Sequence, residues 1–149
     1  MQTSFVLGSF EDARKVRISV FMEEQGFENE FDHVDEDPRT LHVAVYCDGE
    51  LAGCCRVFPA TDEPGADGDN AWVFGRLAVL PEFRHAGLGS LLLVEAERLA
   101  CERGADRILL HAQCAAAGFY ERAGYEAYGP VEFDEHVEHR WMAKDVLTL

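Results

Sequence analysis

The sequence predicts a mixed α/β fold: one sheet, mostly antiparallel, with helices on both faces. Three observations lead there. Strand, glycine-bearing loop, helix, strand and helix alternate from residue 72 to residue 124, which implies a right-handed crossover between two parallel strands. Before this unit, two apolar runs meet at Asp48-Gly49, a hairpin turn signal that makes them antiparallel partners. After it, three short β-type segments close the chain. Six or seven strands are expected, with the parallel pair at the centre.

The elements follow in order. Residues 10–25 place Ala13, Val16, Ile18, Val20 and Phe21 at helical spacing behind an acidic first turn, and Gly26 stops the helix. Residues 27–39 form an acidic loop. Residues 41–47 and 51–59 are the hairpin strands, and residues 60–70 a Gly/Pro/Asp-rich loop. The run 72–80 is a buried strand, followed by the turn Pro81-Glu82-Phe83 and the loop Arg84-His85-Ala86-Gly87-Leu88-Gly89-Ser90. An amphipathic helix covers 91–101, with Gly104 as its stop. Residues 107–113 are the next strand, and 115–123 a short helix ended by Gly124. Residues 125–128, 131–133 and 138–142 are the closing segments. There is no internal repeat or linker, so residues 1–149 are expected to form a single domain.

Composition removes several function classes. The chain has 28 acidic and 13 basic residues, a net charge of −15, which argues against nucleic acid as a partner because a phosphate backbone demands a basic surface. No apolar run approaches the roughly 20 residues of a membrane span, and no basic-then-apolar leader opens the chain. A cytoplasmic location and no membrane partner are expected. Lys15 and Lys144 are the only lysines. An acidic, lysine-poor surface suits a salt-adapted (halophilic) organism, because it stays hydrated where screening is strong. The five cysteines, Cys47, Cys54, Cys55, Cys101 and Cys114, show no metal or disulfide spacing and read as free thiols; Cys54 and Cys55 should face opposite sides of a strand.

The loop carries the chemistry. A strand, a glycine-bearing turn and a helix start converge unpaired amides and the positive end of a helix dipole on one point, an anion site. The P-loop pattern is absent, since no lysine follows the second glycine, and the Rossmann fingerprint fails at its third glycine. Arg84-x-x-Gly87-x-Gly89 fits a third pattern, [R/Q]-x-x-G-x-[G/A]. With Arg76-Leu77-Ala78-Val79 before it and Phe119-Tyr120-Glu121-Arg122-Ala123-Gly124-Tyr125 after it, the sequence resembles the GNAT N-acetyltransferase superfamily over most of its length. Leu110-His111-Ala112-Gln113, the run from Val20 to Gln25, and His139-x-x-Met142 further resemble its stand-alone ElaA-like branch. The region of the first helix and acidic loop is also similar to acyl-homoserine lactone synthases.

The resemblance implies acetyl-CoA as co-substrate; no metal is expected, because His136 and His139, three apart on a strand, face opposite ways and no third ligand stands out. It implies a splayed parallel strand pair and a diphosphate held by Arg84, His85, Ala86, Gly87, Leu88, Gly89 and Ser90. The pantetheine arm would lie along Leu77, Ala78 and Val79 and beside Phe119 and Tyr120, with the Tyr120 phenol as acid toward the departing sulfur. The family's frequent fourth-strand glutamate is missing at Phe74-Gly75-Arg76, which leaves Glu24, His111 and His139, or an ordered water, as candidate bases. Cys114 has no base partner in sequence, so direct transfer without an acyl-enzyme is expected. The acceptor side is assigned Glu24, Arg56, Arg76, His111 and Gln113. Glu24, Asp32, Asp35, Glu36 and Asp37 would favour a cationic amine, small molecule or peptide, whereas Arg56 and Arg76 would grip an acceptor carboxylate; both readings stay open. A coenzyme A-binding module without catalysis and an acyl-homoserine-lactone-synthase-like acyltransferase are the alternatives, and a homodimer remains open beside a monomer.

Overall fold

The structure is a computed structural model that describes residues 1–66 and 70–146. Eight strands form one sheet: β1 (Thr3–Leu7), β2 (Leu41–Cys47), β3 (Glu50–Pro59), β4 (Ala71–Val79), β5 (Arg107–Gln113), β6 (Glu126–Ala127), β7 (Glu132–Asp134) and β8 (Val137–Asp145). Their order is β1-β2-β3-β4-β5-β8-β6, with β7 also on β8. Only β4 and β5 run parallel; every other pair is antiparallel. The mixed architecture read from sequence is therefore present, with one more strand than expected. That strand is β1, whose residues are mostly exposed on both faces and so carry no alternating pattern to read. The tip of the 60–70 loop, residues 67–69, lies outside the described residues.

Three helices cover the sheet: α1 (Phe10–Arg17), α2 (Leu88–Glu102) and α3 (Ala117–Arg122). The Ser9 hydroxyl accepts from the Asp12 amide and, with Glu11 and Asp12 in the first turn, starts α1. The helix expected to run to residue 25 changes pitch after Arg17 and continues as a π-helix, Ile18–Glu24, in which the Gln25 amide reaches back to the Val20 carbonyl. α2 begins at Leu88, three residues earlier than its apolar spacing suggests, because Gly87 takes a left-handed conformation (φ 79°) and caps it.

Side-chain alternation along β3 sorts the two cores. Cys55 points to the face covered by α2, where Leu88, Leu92, Leu93 and Ala96 pack on Val43, Phe74, Ile108 and Leu110. Cys54 points to the other face, with Ala13, Val16, Val20 and Phe21 from the first helix. All five thiols are free. Each buried leucine of α2 contributes about 1.5–3 kcal/mol of transfer free energy, so the parallel pair is fastened chiefly from that side.

Candidate active site

β4 is interrupted where the site lies. It pairs with β3 at Gly75↔Arg56 and again at Ala78↔Cys54, so β4 carries extra residues between them. Arg76 takes a positive φ of 52°, the local signature of the bulge. On its other edge, β4 pairs with β5 from Ala71↔Arg107 only as far as Phe74↔Leu110. Beyond that point the parallel strands separate, and residues 75–79 have no partner on β5. This is the splayed seam the sequence implied.

A cavity of about 340 Å³ fills the gap. Its wall includes Phe74, Leu110, Ala112, Gly89, Phe119 and Tyr120 from the α2 side, and Gln25, Glu30, Arg76, His111, Gln113 and His139 from the α1 side. Because residues of both sheet faces line it, the cavity passes through the sheet.

At one end stands the glycine-bearing loop. His85 (φ 66°) and Gly87 (φ 79°) both take left-handed conformations. The Leu91 amide bonds the Gly87 carbonyl at 3.2 Å, but among the described residues no group accepts from the amides of His85 to Ser90. Unpartnered donors gathered at a helix start are the kind of arrangement that can hold an anion. Gly89 borders it at the seam, where an added Cβ would meet Phe119 at 3.6 Å and Leu77 at 3.8 Å. Arg84 is placed differently from its expected role. Its Nε donates to the Val79 carbonyl at 2.9 Å and its two terminal nitrogens bind both oxygens of Glu24.

Glu24 is held by that contact. Hydrogen bonding to Arg84 holds its carboxyl below the usual range, and it does not line the cavity. A carboxylate tied this way is a poor proton acceptor. Tyr120 is buried, and among the described residues nothing hydrogen-bonds to its hydroxyl. Burial pushes its phenol up, so the proton stays on at neutral pH.

His139 is buried in the wall, and its Nδ1 donates to the Val137 carbonyl at 3.0 Å. That bond fixes the tautomer and leaves Nε2 as the basic nitrogen of the neutral ring. His111 stacks on Trp141 at 4.7 Å and lies 5.0 Å from the His139 ring, centroid to centroid. Its Nε2 sits 3.1 Å from a Glu132 oxygen yet out of line for a hydrogen bond. Burial and then the neighbouring His139 lower its pKa, so His111 is neutral above the ordinary histidine range. Cys114, by contrast, is not in the wall.

The acidic loop does something the sequence did not reveal. Arg17 binds Glu30 at 2.8 Å and Asp35 at 2.7 Å; Arg56 binds Asp32 at 2.7 Å and Asp35 at 2.8 Å; Arg76 binds Glu30 at 2.9 Å. Three guanidiniums and three carboxylates thus neutralise each other beneath the bulge. Asp32 and Asp35, read from sequence as attractors of a cationic acceptor, are committed to arginines, and Asp37 pairs with Arg39 at the surface. Arg56 is buried in these pairs and absent from the cavity wall. Arg76 does line the cavity, but already engages Glu30 and Asp32. Burial raises the Asp35 carboxyl, but Arg17 and Arg56 outweigh it and pull the group down to about 2. At Glu30 burial wins over Arg76 and Arg17, and its pKa is raised.

Sequence reasoning missed Gln25, Phe27, Asn29, Glu30, Asp134 and Glu135 as wall residues. Most come from irregular segments. Glu135, for instance, sits in a turn at φ 55° and reaches across to accept from the amides of Glu28 and Asn29. No spacing rule links residues more than a hundred positions apart.

Comparison with known proteins agrees with this geometry. Residues 9–125 match the profile of the Acetyltransferase (GNAT) family. The uncharacterized N-acetyltransferase YjcF of Bacillus subtilis is 33% identical over 137 residues, covering 90% of this chain and 91% of that protein. Among solved structures, Escherichia coli ElaA superposes with a TM-score of 0.83 at 19% identity, over 97% of this chain and 100% of that one. An acyl-CoA N-acyltransferase from Pseudomonas aeruginosa superposes with a TM-score of 0.82 at 23% identity, over 96% and 99% of the two chains. Splayed seam, unpartnered loop amides and family match together place this chain in the GNAT acetyltransferase family.

Proposed function

We propose that the protein transfers an acetyl group from acetyl-CoA directly to a primary amine of a small molecule or peptide. The observation that carries this reading is the cavity through the sheet, with a nest of free amides at one end and an unbonded tyrosine hydroxyl in its wall. The residues present fit the co-substrate. The amides of His85 to Ser90 suit a diphosphate, and the edge at Leu77, Ala78 and Val79, which has no β5 partner, can bond an extended amide-bearing arm as an added strand would once Arg84 leaves the Val79 carbonyl. The cavity volume, about 340 Å³, suits the end of such an arm, a short acyl group and a small amine.

In this reading a backbone amide between Leu77 and Val79 stabilises the developing oxyanion. The amine nitrogen forms its bond to the acyl carbon as the carbon–sulfur bond breaks. His139 Nε2 takes the proton lost from the amine, and Tyr120 donates its proton to the departing sulfur. Arg84 adds a charged contact at the diphosphate on release from Glu24.

The test is thiol release from acetyl-CoA in the presence of a panel of primary amines. Amine-dependent release is the expected result. Coenzyme binding without release on any amine would assign a binding module instead, and release only with long-chain acyl donors would favour the homoserine-lactone-synthase-like alternative.

A further inference from the structure

The acceptor half of the cavity holds a pair of side-chain amides. Gln113 Nε2 donates to Gln25 Oε1 at 2.9 Å, and both residues line the cavity. This bond joins the end of the first helix to the end of β5 across the mouth of the seam. Gln25 is held from two further sides: His136 Nε2 bonds its backbone carbonyl at 2.7 Å, and its neighbour Glu24 is tied to Arg84. Two flexible side chains are thereby fixed without filling their capacity. The Gln25 amide nitrogen retains its donors and the Gln113 amide oxygen its acceptor, and neither atom makes a further hydrogen bond among the described residues.

The register then says what lies next to them. Gln113 is the cross-strand partner of His139, and both point to the same face. An amine at His139 Nε2 therefore has the Gln25–Gln113 pair beside the group attached to its carbon. That group meets two side chains with a donor and an acceptor to spare, which a carboxamide can satisfy together. A carboxylate fits poorly. Among the described residues Arg76 is the one arginine or lysine in the wall, and it is engaged by Glu30 and Asp32. Asp134 and Glu135 also line the cavity, and among the described residues neither is paired with an arginine, so a second anion would enter against two carboxylates.

We propose that the Gln25–Gln113 pair selects an acceptor whose primary amine is adjacent to a carboxamide, in an aminoacyl amide or a peptide amino terminus, and rejects the free amino acid. The inference rests on the acetyl-transfer reading above. A site built to bond both halves of an amide discriminates strongly against an analogue that lacks one half, because its own polar group is then left unpaired.

The experiment measures kcat/KM for thiol release from acetyl-CoA with glycinamide, glycine methyl ester, glycine and glycylglycinamide. The ester has an amine of similarly depressed basicity and keeps the carbonyl but lacks the N–H, so it isolates the Gln113 contact. Glycinamide is expected to exceed the ester by about tenfold, the equivalent of about 1.4 kcal/mol, and to exceed glycine by more. Glycylglycinamide equal to or better than glycinamide would assign a peptide acceptor; a much poorer rate would assign a free aminoacyl amide. Gln113→Leu should bring the amide-to-ester ratio to within about twofold of unity, and Gln25→Leu should lower the amide and ester rates together, with coenzyme A binding by calorimetry certifying that each variant is folded. Equal rates for glycinamide and ester in the unmodified protein, or a ratio that survives Gln113→Leu, overturns the inference and leaves acetyl transfer standing. Absence of thiol release with every amine, the coenzyme still binding, overturns the transfer reading and this inference together.

Discussion

Tyr120 is the residue whose chemistry is easiest to isolate. Its hydroxyl has no hydrogen-bond partner among the described residues, and burial keeps it protonated, so its removal breaks no bond seen there. Tyr120→Phe should lower kcat by about 10- to 100-fold, the lower range for a general acid because a thiolate leaves readily, with coenzyme affinity unchanged. Unchanged kcat in a steady-state assay would remove the acid role. Asp35 makes the complementary case for stability. Its folded pKa of about 2 lies below the ordinary 3.8, so the unfolded chain binds the proton more tightly. Its stabilisation is therefore full above pH 3.8 and disappears as pH falls toward 2, an effect of about 2 kcal/mol. Asp35→Asn should destabilise the fold by about 3 kcal/mol in urea at pH 7, because Arg17 and Arg56 lose a buried partner, and should flatten the slope of stability against pH below 3.8. A parental slope in the variant would show that other carboxylates dominate.

Among the elements, the β4–loop–α2 unit positions the nest, and a glycine within it and one on the neighbouring β3 act differently. At Gly89 an added Cβ meets only ordinary contacts, at 3.6 and 3.8 Å. Gly89→Asp should leave the melting temperature nearly unchanged yet weaken coenzyme A binding at least about 100-fold by calorimetry, since a carboxylate would sit among donors meant for a diphosphate. Gly53 in β3 is the reverse. A Cβ there meets the Ala78 carbonyl at 2.8 Å, so Gly53→Ala should cost about 1–3 kcal/mol of stability by forcing β3 from β4 beside the bulge. A stable variant would mean that the strand pair yields. The unit was legible in sequence because local rules write it: an apolar strand, a glycine at the helix cap, and leucines at helical spacing. The pitch change after Arg17 was not, since Ile18 to Glu24 carries nothing a helical pattern distinguishes. Nor was the pairing of Arg17, Arg56 and Arg76 with the acidic loop, because charge in a loop looks alike whether it faces water or a buried guanidinium.

At the scale of the whole molecule, a net charge of −15 sits on a chain of 149 residues, and its surface repels itself at low salt. Raising potassium chloride from about 0.1 to 2 M should increase the melting temperature by several degrees, through screening of exposed charge within a Debye length that shrinks to about 3 Å at 1 M. A melting temperature that falls with added salt would refute the salt-adapted reading. The same screening does not reach every charge equally. The six ionic groups beneath the bulge add up to zero, and Arg17, Glu30, Asp35 and Arg56 lie with at most 6% of their side chains exposed. The molecule thus divides into a coat that the medium can retune and a neutral knot that it cannot. Brine would stiffen the former while the latter keeps the strand's kink, and the edge it bares, at the same set point from fresh water to saturation.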